Sequence, residues 1–139
     1  MRLPDDPEVA AWLAKADEDV AAVAVLREHA PALDPVIGFH CQQAAEKLLK
    51  ALLVAWDREP ERTHDLGALA GALLRLGLDL CPILEDAAFL SPFAVIPRYP
   101  GFQDTGEPPG VVGRDAEQAL HRLEARVRQA FHPGNPRDT

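Results

Sequence analysis

Residues 39–56 read FHCQQAAEKLLKALLVAW, and this run decides the fold. It lies in a segment opened by Asp34-Pro35, where an Asp carboxylate can accept the orphan amides of a first helical turn and proline fits the first helical position. From Val36 to Trp56, 14 of 21 residues are apolar, and between Leu48 and Trp56 only Lys50 has a group to offer water. A helix apolar on most sides must be covered on most sides, by the other helices of its own chain or by a second subunit. Its polar residues are not scattered. At about 100° per residue, His40, Gln43, Lys47 and Lys50 fall in one stripe about 80° wide, with Glu46 at its edge. Such a stripe is either the solvated face of a central helix or a basic strip for a phosphate or carboxylate.

Outward from this segment the chain keeps its helical period. From Pro7 to about Ala30, Trp12, Ala16, Val20 and Val23 recur every three or four residues, while Asp17, Glu18 and Asp19 take the other side. Pro31 should stop that helix, since it lacks an amide donor and restricts the residue before it. After a polar connection at Asp57–Arg62, Thr63 is placed to cap a third helix through Leu66, Leu69, Leu73 and Leu74, with Asp65 in its first turn and Gly77 as the stop. Pro82 opens a further short helix through Leu84, Ala87, Ala88 and Phe89, and Pro92 and Pro97 break the chain beyond it. Eight of the 17 residues from Pro97 to Gly113 are Pro or Gly, which reads as a loop. Val111-Val112 is too short to carry a sheet. Arg114 to Phe131 returns to helical period through Ala116, Leu120, Leu123 and Val127.

No internal repeat and no sustained strand alternation is present. The expected fold is all-α, an up-down bundle of four or five helices, with one domain over residues 1–131 and a fraying tail at 132–139. A chain of 139 residues, 47% hydrophobic and 26% charged, supports one modest core. Its formal net charge of -8 repels nucleic acid overall and leaves room only for a local basic site. The start MRLPDDPEVA has no apolar signal-type region, and the longest apolar stretch is broken by Lys50, so a cytoplasmic protein without a membrane span is expected. Cys41 and Cys81 both sit in or beside apolar helical patterns and read as core thiols.

Chemical motifs are informative by their absence. The chain has no phosphate-binding glycine loop, no His-Glu-x-x-His, no nucleophile elbow and no calcium loop. Its sole serine, Ser91, stands between Leu90 and Pro92 at a helix break, a poor place for a nucleophile. The five histidines form no tetrahedral ligand spacing, so neither a metal nor a cofactor is expected. His64-Asp65 is better read as capping and surface charge than as a dyad, because neighbours on a helix point about 100° apart.

Three fragments then act together. FHCQQAAEKLLKALLVAW, followed by RTHDLGAL at Arg62–Leu69 and RYPG at Arg98–Gly101, resembles a stand-alone prokaryotic HEPN domain, the higher eukaryote and prokaryote nucleotide-binding helical family. Gln42, Gln43, Ala45, Glu46, Lys47, Lys50 and Ala51 fall on that family's Gln-Gln-Ala-x-Glu-Lys-x-x-Lys-Ala-like pattern, and the resemblance spans roughly Pro7 to Phe131. It implies a HEPN-type bundle, homodimerisation and partnership with a minimal nucleotidyltransferase.

Many HEPN proteins are metal-independent endoribonucleases of toxin-antitoxin systems, using Arg, four to six residues, then His. Arginine stabilises charge on the phosphate while histidine moves a proton in attack by the RNA 2′-hydroxyl. Three pairs here have that spacing: Arg58/His64, Arg114/His121 and Arg126/His132. None stands where the family's motif is expected. Arg98 is the best carry-over for the late arginine, but Gln103, Asp104 and Thr105 occupy the positions where a histidine is needed. The expectation is therefore a dimeric binding and assembly module with a nucleotide or RNA ligand, using His40, Gln43, Lys47, Lys50 and Arg98. Ribonuclease chemistry is the alternative, with Arg98 and His64 as the pair that a fold or a dimer would have to bring together.

Overall fold

A computed structural model describes residues 1–95 and 106–132. Among the described residues five α-helices follow one another, α1 (Pro7–His29), α2 (Asp34–Ala55), α3 (Leu66–Arg75), α4 (Leu84–Leu90) and α5 (Val111–Ala130), with short 3-10 turns at Cys81–Ile83 and Ser91–Ala94. No strand occurs among the described residues. The all-α bundle is as expected, and Val111-Val112 opens the last helix, which begins three residues before Arg114.

α1 starts where the sequence places it. The Asp6 carboxylate accepts from the amides of Glu8 and Val9 at 3.0 and 3.3 Å, and Pro7 takes the first turn. α2 is the hub, packing against α1, α3, α4 and α5. Every residue from Leu48 to Ala55 is buried, including Lys50. The apolar run is therefore covered within a single chain, and a second subunit is not needed to hide it.

Two capping expectations are corrected. Asp34 makes no cap of its own helix; its two carboxylate oxygens instead accept from the amides of Gly113 at 2.8 Å and Gly110 at 2.9 Å, so it serves the N-terminus of α5, 76 to 79 residues away. Gly110, at φ +92°, turns the chain into that helix. At α3 the cap is Asp65, whose carboxylate accepts from Ala68 N at 3.2 Å, while the Thr63 hydroxyl accepts from Asp65 N. One further close approach fixes the bundle: a Cβ on Gly38 would run into the Phe93 ring, so α2 and the 3-10 turn touch where α2 has no side chain.

Polar pairs fasten the periphery. Arg122 of α5 donates to Asp86 of α4 at 2.7 Å; Asp86 is buried, and this hydrogen bond is the main cause that raises the Arg122 pKa. Arg27 pairs with Glu117, joining α1 to α5. Cys41 is a core thiol, but Cys81 is exposed, because it begins a 3-10 turn at the surface and leaves the core to Leu80 and Ile83.

Candidate functional site

The polar stripe of α2 divides into two clusters, each built around one carboxylate. Asp19 centres the outer one. It lies at the third position after Ala16 and the fourth before Val23, which puts it on the buried face of α1 with Val9 and those two residues. There it meets His40 Nδ1 at 3.0 Å and accepts from Lys47 Nζ. His40 and Lys47 keep 29% and 23% of their side-chain surface open, so both retain an edge toward solvent.

Glu46 centres the inner cluster. Its side chain is only 7% exposed, a position a carboxylate holds when it is paired. Lys50, one turn on, donates to Glu46 Oε2 at 3.1 Å, and its ammonium lies 5.6 Å from the centre of the Trp12 ring, a cation–π placement from α1. Oε1 faces His64 Nδ1 at 2.7 Å and accepts from Gln42 Nε2 at 3.3 Å. The backbone of His64 is held as well: its carbonyl accepts from Gln42 Nε2 at 2.9 Å and from the Ser91 hydroxyl, which also receives the amide of Leu66 at 3.1 Å. Gln43 in turn donates to Gln42 Oε1 at 2.7 Å. The imidazole of His64 is nonetheless 63% exposed. Its Nδ1 edge is engaged by a buried carboxylate while the ring remains open to solvent.

This arrangement revises the sequence reading. Lys50 is buried on Glu46 and does not offer itself to water, and Glu46 is the hub of a cluster, no longer the edge of a stripe. Lys47 and Lys50 are each matched by one carboxylate, so the stripe carries no surplus lysine charge. His64 is no mere accompaniment to a cap: Asp65 caps α3 while His64 turns to Glu46. Arg98, with the rest of Arg-Tyr-Pro-Gly, lies outside the described residues. Of the spaced Arg/His pairs, His121 sits on Glu117 at 3.5 Å and Arg126 donates to the Asp79 carbonyl, both on α5 and engaged in tying the surface. Among the described residues no group of three or more His, Cys, Asp or Glu is placed to hold a metal. No helix among them is long and apolar enough to cross a membrane.

The pattern of the family described as HEPN domain matches residues 9–128, from the first turns of α1 to the last turns of α5. The chain belongs to the HEPN domain family. All three fragments that carried the resemblance lie inside that match. Comparison with curated proteins and with solved structures gives no match. Within this HEPN bundle the residues that sequence reasoning missed include Asp19 and Trp12, along with Gln42 and Ser91, which hold the His64 carbonyl. Asp19 was readable from its three-and-four spacing to Ala16 and Val23, but a run of three acidic residues draws the eye to the solvent side. Nothing in the order of residues marks Trp12 as the neighbour of Lys50, since that contact crosses between helices.

Proposed function

We propose that this HEPN domain is a homodimeric binding and assembly module that holds the phosphate and sugar of a nucleotide or RNA end beside His64 and works with a minimal nucleotidyltransferase partner. The observation that carries the reading is His64 itself, an exposed imidazole whose Nδ1 is anchored 2.7 Å from a buried carboxylate. An exposed side chain held from beneath loses little entropy on meeting a ligand, which is what a binding group needs. Lys47 and His40, on the same helix, have open edges for phosphate oxygens, and Arg98 is the guanidinium proposed to join them. Family membership supports the nucleotide and the dimer. Gln43 belongs to the support of the cluster through Gln42, and Lys50 acts through Glu46.

Calorimetric titration with AMP, ATP and a short single-stranded RNA tests the reading. The parent is expected to bind, and H64A and K47A/R98A are expected to bind at least about tenfold more weakly, a change of about 1.4 kcal/mol. Equal affinity in parent and variants, or no binding by the parent, overturns it.

One observation favours ribonuclease chemistry as a second reading. A carboxylate at Nδ1 of an exposed histidine is the arrangement that orients a general base. Cleavage of RNA by purified protein, without divalent metal and lost in both H64A and R98A, would establish it.

A further inference from the structure

We infer that Glu46, braced by Lys50, is a positioning residue that holds neutral His64 as the Nδ1–H tautomer, leaving Nε2 as a lone-pair acceptor turned to solvent for a hydroxyl of the ligand. This rests on the nucleotide reading for the ligand, but its first half concerns the free protein alone.

The chemistry comes from which groups can donate. A carboxylate only accepts, so the hydrogen between Glu46 Oε1 and His64 Nδ1, 2.7 Å apart, must belong to the imidazole. In neutral imidazole one nitrogen carries the hydrogen and the other accepts, so Nε2 is left with a free lone pair. Free histidine favours the opposite tautomer. The protein therefore selects the less favoured form, and it does so with a buried group that cannot turn away: Oε2 is taken by Lys50 at 3.1 Å, and Oε1 also receives Gln42 at 3.3 Å. Lys50 is fixed in its turn by burial and by the Trp12 ring. Gln42 and Ser91 hold the His64 carbonyl, so the backbone that aims the ring is fixed as well as the ring. A lone pair cannot accept anything from a fully ionised phosphate, which has no hydrogen to give. Its natural partner on a nucleotide is a sugar hydroxyl, so the site should distinguish ribose from a sugar that lacks one.

Long-range proton–nitrogen NMR of the free full-length protein, at a pH where His64 is neutral, reads the tautomer directly. The parent should show a protonated Nδ1 and an unprotonated Nε2. In E46Q, Lys50 still demands an oxygen, so the amide should turn its NH2 toward His64 and reverse the tautomer. In E46Q/K50M, which removes both charges together and spares the core an unpaired lysine, the amide is released and a mixture should appear. Circular dichroism confirms the fold of each. A parent with hydrogen on Nε2, or variants with the parent's tautomer, overturns the inference. Calorimetry then compares AMP with 2′,3′-dideoxy-AMP. The parent should prefer AMP by about tenfold or more, and H64A should bind the two alike. Equal binding of the two by the parent overturns the hydroxyl assignment. If the parent binds neither, the nucleotide reading fails and the hydroxyl assignment with it, while the NMR result still decides the positioning role of Glu46.

Discussion

Asp19 shows how one buried carboxylate can hold two helices. It is the only acidic residue of α1 on the buried face, and it collects one imidazole and one ammonium from α2. Asn at this position keeps the volume but loses the charge, and leaves Lys47 and His40 without their counterion. D19N should lower stability by about 1.5–3 kcal/mol, the range for a hydrogen bond to a charged group. Urea titration should show a lower midpoint with an unchanged slope. The two cysteines give a second expectation at this scale. Burial, with the Glu117 charge as a lesser cause, pushes the Cys41 thiol up to about 12, whereas Cys81 is exposed. Because the thiolate is the nucleophile, Cys41 should stay protonated and unreactive in the folded protein even at pH 9 to 10. Iodoacetamide followed by mass spectrometry should add one group to native protein, at Cys81, and two after denaturation. Native modification of Cys41 would contradict its burial.

Between elements, the most consequential contact runs from the start of α2 to the start of α5. Asp34 reads locally as the cap of its own helix, and the proline after it strengthens that reading; the structure gives its oxygens to Gly110 and Gly113. Capping chemistry was legible in the residue type, but its address was not, because a carboxylate serves whichever amides the fold brings near. D34A should therefore destabilise by about 1–2 kcal/mol, as loss of a cap does. Hydrogen exchange should localise the effect: amides at 110–114 should lose protection, with the first turn of α2 little changed. A loss confined to α2 would restore the local reading. Gly38 offers a complementary test of packing. A methyl group there would enter the Phe93 ring, so G38A should cost about 1–3 kcal/mol by overpacking, despite the better helix propensity of alanine. The double variant G38A/F93L, with a slimmer partner, should recover part of that loss in the same urea titration.

At the scale of the molecule, periodicity and proline placement were enough to read three features of the described residues: helical architecture, breaks at Pro31 and Gly77, and a central apolar helix. The loop expected from Pro97 to Gly113 lies largely outside the described residues, and its last three residues are the first turn of α5. What could not be read is how partners are shared out across helices, as with Trp12 over Lys50 or His64 on Glu46, since those contacts depend on tertiary approach. The same limit applies to subunits. An all-round apolar α2 admits coverage by neighbours or by a second chain, and the structure shows that α1, α3, α4 and α5 suffice. A folded monomer is then expected to be a stable species, and the proposed dimer an association of finished subunits. Sedimentation at low micromolar concentration should give about twice the 15.1 kDa chain mass, in keeping with the proposed dimer. Dilution should separate the subunits without unfolding them. Trp12 and Trp56, both half-buried against the core, report that state, and their emission maximum should hold steady through the dilution range in which the mass falls to that of one chain. A red shift that tracks dissociation would mean that the monomer does not stand alone, because folding coupled to association makes stability depend on concentration. A single-chain mass at micromolar concentration would instead remove the dimer from the proposed function while leaving the fold and the Glu46–His64 geometry as they are.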